Sequence, residues 1–203
     1  MMVFLTITGT SQEKKIGFFG YSGGMMLHTG FVSGKPMSFA YPDGASYQNL
    51  KIEGLPFGIG GAIKINFSEH FRIGAEGYIS TLTYGEYGSY SKCGWGGILF
   101  DYALQKARWS FFAGATIGSG SVNNLTLFDD MPLDNVIENH SVSYRNYKFM
   151  ALTPFAGVEY ALSDKMHAIF KMDSLFNINH PQADFVTGPR FYFGIMFTHE
   201  NKN

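Results

Sequence analysis

From Phe57 to Phe67 two kinds of side chain alternate without a break. Phe57, Ile59, Gly61, Ile63, Ile65 and Phe67 fall on one face, and Gly58, Gly60, Ala62, Lys64 and Asn66 on the other. A period of two sustained this long predicts a β-strand with two chemically different sides. The pattern resumes after Ser68-Glu69-His70, where Phe71, Ile73, Ala75, Gly77 and Ile79 oppose Arg72, Gly74, Glu76, Tyr78 and Ser80. A second pair follows around Gln105-Lys106. Ile98, Phe100, Tyr102 and Leu104 oppose Gly97, Leu99, Asp101 and Ala103; then Trp109, Phe111, Ala113, Ala115 and Ile117 oppose Arg108, Ser110, Phe112, Gly114 and Thr116.

The third pair, joined by Ser163-Asp164-Lys165, is noisier. Leu152, Pro154, Ala156, Val158, Tyr160 and Leu162 lie against Thr153, Phe155, Gly157 and Glu159, and Ala168, Phe170 and Met172 against His167, Lys171 and Asp173. Pro154 cannot donate to a ladder and predicts a local bulge or bend. The last strand is clear, with Phe191, Phe193, Ile195 and Phe197 on one side and Arg190, Tyr192, Gly194 and Thr198 on the other. The first, Ile16 to Leu27, is blurred by Gly17, Gly20, Gly23 and Gly24.

Short breaks alternate with long ones. The long links run from about His28 to Pro56, Thr83 to Lys92, Ser119 to Tyr147 and Phe176 to Gly188, and are rich in Asn, Asp, Ser, Gly and Pro. Eight strands joined in this rhythm predict an all-β fold: an eight-stranded antiparallel up-and-down barrel, with tight turns at one rim and loops at the other. The 203 residues suit one such domain, over residues 16–203. Residues 1–15, apolar from Met1 to Ile7 and then small and polar, read as the remainder of an export signal.

Which face meets water is settled by charge. Charged residues are 15% of the chain, well below the roughly 25% of soluble proteins. A water-facing exterior made of the Gly-rich, nearly uncharged face would be a poor one, so the apolar face is expected outside, in lipid. The barrel is then a transmembrane β-barrel. Lys64, Arg72, Arg108, Lys171 and Arg190 are expected to share the lumen with Glu76, Asp101, Glu159 and Asp173. Paired charges limit the cost of enclosure, and eight strands leave an interior that side chains fill. Phe57, Phe67, Phe71, Tyr102, Trp109, Tyr160, Phe191 and Phe197 fall near strand ends, where interfacial girdles sit.

The run from Gly188 to Phe197, an alternating strand closing on an aromatic, looks like a C-terminal assembly signal, with Thr198 to Asn203 following it. With the eight-strand pattern from Ile16 to Thr198, the chain resembles the small eight-stranded bacterial outer-membrane proteins of the OmpA membrane domain and OmpX kind. The resemblance implies residence in the bacterial outer membrane, contact with its lipids, and insertion by the barrel-assembly machinery.

Candidate chemistry is sparse. The net charge of −1 offers no basic stripe for nucleic acid. Cys93 has no partner for a disulfide and no Cys or His close by for a metal. Gly30 to Lys35 is one residue short of a phosphate loop and precedes Pro36. Neither cofactor nor metal is expected. Glu138, His140, Ser141 and Ser143 are the nearest approach to a nucleophile–base set, but adjacent His140 and Ser141 would diverge on an extended chain, so a polar loop is the reading. Tyr84, Tyr87 and Tyr90, interleaved with Gly and Ser, suit either a contact surface or a row at the lipid headgroups. The expected function is a structural or surface-binding barrel with a plugged lumen and no turnover. The alternatives are a narrow porin-like channel, a lipid A hydrolase or acyltransferase, and a soluble lipocalin-like carrier.

Overall fold

The structure, a computed structural model, describes residues 19–40, 47–85, 87–127 and 142–200. Eight strands make the wall: β1 (Gly20–Gly30), β2 (Phe57–Asn66), β3 (Phe71–Tyr84), β4 (Ser89–Lys106), β5 (Trp109–Leu127), β6 (Val142–Ser163), β7 (Met166–Ser174) and β8 (Pro189–Glu200). Each pairs antiparallel with the next, and β8 pairs with β1 from Gly20↔Glu200 to Gly30↔Arg190, which closes the barrel. No edge of the membrane-spanning wall is left unpaired, as the bilayer requires.

The apolar face points outward. Ile63 is 65% exposed, Ile79 66%, Met25 64% and Phe111 52%. A soluble carrier needs these side chains inside, so that alternative does not describe this barrel. Toward the tight-turn rim the belt ends in aromatic contacts: Trp109 against Tyr160 at 4.6 Å and Phe71 against Tyr102 at 5.1 Å between ring centroids. Glycine on the inner face makes room for large neighbours. A Cβ on Gly58 would lie 2.1 Å from the His28 ring, and one on Gly60 2.2 Å from the Tyr78 ring.

Three expectations are corrected. The described parts of the links at Thr83–Lys92 and Ser119–Tyr147 are largely strand: β3 reaches Tyr84, β4 starts at Ser89, and β5 pairs with β6 as far as Leu127↔Val142. Beyond the lipid both faces meet water or polar neighbours, so the apolar–polar alternation vanishes while the ladder continues. Arg108 is not in the lumen. β4 runs on to Lys106, which pairs with Trp109, and Ala107-Arg108 is the turn itself, so Arg108 is exposed at the rim. Pro154 causes no register shift. Its ladder to β5 runs unbroken through Pro154↔Ala115; on the other side β6 pairs with β7 only from Phe155, Ala151 and Leu152 pair with Asn177 and Phe176 beyond the end of β7, and the bulge falls between Ala161 and Ser163.

The longest link folds into short ladders, Val32–Ser33 with Glu53–Gly54 and Met37–Ala40 with Tyr47–Leu50. Residues 1–15 and the Glu138, His140 and Ser141 cluster lie outside the described residues; Ser143 is half-buried in β6.

Candidate functional site: a two-tier lumen under a folded-in loop

Alternation sends every second side chain of each strand inward, and the charges meet there in two groups. Nearer the tight turns, Arg72 of β3 and Asp101 of β4 are cross-strand partners, with Nε–Oδ1 at 2.5 Å and Nη2–Oδ2 at 2.9 Å. From across the lumen Glu159 of β6 accepts from Arg72 Nη1 at 3.0 Å and from Lys64 Nζ at 3.1 Å; Lys64 also lies 3.1 Å from Asp101. Toward the loop rim, Asp173 of β7 and Arg190 of β8 are cross-strand partners at 2.8 Å. Lys171 reaches across to Glu76 at 2.7 Å, and Thr116 Oγ1 donates to the other oxygen of Glu76 at 2.6 Å.

Each tier holds two cations and two anions, so each is neutral by itself. None of the eight side chains is more than 7% exposed as a residue. Such burial costs several kcal/mol per unpaired ion, so partners on adjacent and opposite strands are what make it tolerable. Where the tiers meet, Phe112 and Phe155 pack edge to face at 6.0 Å. Lys64 lies 4.3 Å from the Phe112 centroid and Lys171 5.1 Å from that of Phe155. Above them Tyr192 carries Lys171 over its ring at 4.4 Å and stacks with His28 at 4.8 Å. A cavity of about 310 Å³ opens at the tight-turn rim and ends on Arg72 and Glu159.

The loop rim is closed by the segment between β7 and β8. Asp184, 1% exposed, accepts from Asn124 Nδ2 at 2.7 Å and pairs with Arg145 at 3.3 Å; Arg145 also donates to Gln182 at 3.2 Å. Beside it Phe185 packs on Phe149 at 4.9 Å. Backbone bonds tie the segment down, Lys35 N to Ala183 O at 2.8 Å and Ser33 N to Thr187 O at 2.9 Å. A second small core of Val32, Ile52, Leu82 and Tyr84 fastens the long link to the wall. On the exposed side of that link Lys51, 2.5 Å from Glu53, holds the Glu53 carboxyl below the usual carboxylate range.

Of the sequence candidates, Lys64, Arg72, Glu76, Asp101, Glu159, Lys171, Asp173 and Arg190 are brought together; Arg108 is not. Tyr84 is not a surface residue. It is 6% exposed, its hydroxyl 2.8 Å from Thr126 Oγ1, because it continues the inward parity of Tyr78, Ser80 and Leu82. Tyr87 is exposed at the β3–β4 hairpin, and Tyr90 is half-buried on the outer face of β4. The Asp184–Phe185 closure carries no periodic signal, whereas the lumen aromatics Tyr78, Phe112, Phe155 and Tyr192 follow the inward parity of their strands. The one hint was large rings on the charged face, where a cation can lie over them.

Solved structures share this architecture, among them the following two. Ail, the attachment invasion locus protein of Yersinia pestis, solved in complex with the heparin analogue sucrose octasulfate, is 9% identical, with a TM-score of 0.50 over 89% of this chain and 99% of that one. Neisserial surface protein A is 12% identical, with a TM-score of 0.52 over 90% and 97%. The likeness shows the fold, a closed eight-stranded transmembrane β-barrel of the outer-membrane kind. No protein-family model and no curated sequence matches the chain.

Proposed function

We propose that this outer-membrane barrel is a sealed anchor whose loop rim is a contact surface: a structural or surface-binding protein, without turnover. The observation that carries the reading is the filling of the lumen. Two neutral tiers and the Phe112–Phe155 pair occupy its width, and Asp184 and Phe185 close the loop end. An eight-stranded barrel has little interior to spare once such side chains are in place. The membrane-facing belt holds the protein in lipid, and the long β4–β6 ladder carries Tyr90 and Tyr144 well past it.

The test is single-channel recording in planar bilayers. The folded protein, checked by heat-modifiable migration, is expected to give no resolved conductance in moderate salt. Steady ion steps from the wild type would overturn the sealed reading in favour of a narrow channel.

A further inference from the structure

The register of β4, β5 and β6 aligns their outward side chains in rungs that descend to the membrane. Tyr90, Leu125 and Tyr144 form the upper rung, followed by Lys92, Asn123 and Asn146, then by Gly94, Ser121 and Lys148. Two rungs lower Ile98 and Ile117 stand side by side, 55% and 51% exposed, in the apolar belt. The polar rungs therefore continue, on the same face, the rows that touch hydrocarbon.

These rungs are rich in donors. Lys92 and Lys148 are exposed, and two interstrand spacings place their backbones on the order of 10 Å apart laterally, with Asn123 and Ser121 between them. Tyr144 Oη donates to Asn123 Oδ1 at 3.2 Å, which holds the Asn123 amide in the patch. Lys92 Nζ lies 4.9 Å from the Tyr90 centroid, so its position is partly set. No carboxylate occupies these three rungs. Two ammonium groups, an amide and a hydroxyl suit phosphate oxygens.

We propose that this patch holds the phosphate-bearing headgroup of a lipid in the leaflet around the loop rim. The proposal rests on the reading of the loop rim as the outward contact surface, but not on the lumen being sealed. Height selects the occupant. A ligand here must come from the side that lipids already occupy, because the patch faces along the membrane rather than away from it.

The test uses the full chain in nanodiscs of phosphatidylcholine with a minor fraction of lipid A, with retained lipid counted by native mass spectrometry after release into detergent. Wild type is expected to retain lipid A over phosphatidylcholine. Each basic residue near an anionic surface contributes about 1 kcal/mol, so Lys92→Gln/Lys148→Gln should lower retention roughly tenfold or more. Lys106→Gln, at the opposite rim, should leave it unchanged. Equal retention by the double variant, or equal retention of dephosphorylated lipid A, overturns the proposal. So does a lysine-dependent response to inorganic phosphate alone without lipid enrichment, which would assign the patch to a soluble anion. Conductance of the same variants stays at the wild-type value, so failure here is separable from failure of the sealed lumen.

Discussion

Glu159 receives both Lys64 and Arg72 from across the lumen, so its loss unbalances the lower tier. Glu159→Gln keeps the shape and leaves two buried cations facing one carboxylate. Removing one partner from a buried pair costs about 3–5 kcal/mol, and that loss is expected in urea titrations of the protein folded into vesicles. Lys64→Met/Glu159→Gln should cost less than the sum of its single changes, because the second removal deletes an orphan. A cost under about 1 kcal/mol for Glu159→Gln would mean that water already reaches the tier through the rim cavity. On the opposite face Ile63 sits in the lipid belt, and Ile63→Lys should cost about 2–4 kcal/mol in the same titration, as for a charge near the midplane. Both assignments were legible in sequence: alternation separates the neighbours Lys64 and Ile63, and the low charged fraction of the chain then sends one face to the lumen and the other to lipid. Parity fails at Arg108 because a two-residue turn breaks it, whereas at Tyr84 it holds: β3 continues past Ser80 through Leu82 and carries the ring inward.

At the scale of elements the three tight turns differ in quality. Ser68 Oγ accepts from Phe71 N at 2.9 Å and so closes the β2–β3 link, whereas the β4–β5 turn forces Ala107 to φ 55°. A Cβ is disfavoured there, and glycine is not. Ala107→Gly is expected to stabilise the folded barrel by about 0.5–1 kcal/mol, read from the urea midpoint at unchanged slope. Unchanged or lower stability would show that the turn relaxes without strain. The strand cores were readable because lipid on one side and packed charge on the other impose a period of two. Past Ser119 that contrast ends: Ser121, Asn123 and Asn124 are all polar, so the ladder leaves no trace in hydropathy. The Ala183–Thr187 segment is equally silent, being fixed by single contacts rather than by a repeat.

For the molecule as a whole, the seal has three parts in series, and they predict how it fails. The loop closure depends on one carboxylate and one ring, Asp184 held by Asn124 and Arg145 and Phe185 held by Phe149. Asp184→Ala/Phe185→Ala should free that segment, and limited proteolysis of folded protein should then cut between β7 and β8 where wild type resists. Conductance should nevertheless stay absent, because the tiers beneath are tied by pairs on opposite strands and lose no member. If the double variant instead passes ions, the tiers do not block the lumen and the closure is the sole barrier, which would make the barrel a channel held shut by its own loop. A seal in series thus separates two behaviours that a single plug would confuse: protease access at the rim reports the loop, and current reports the tiers.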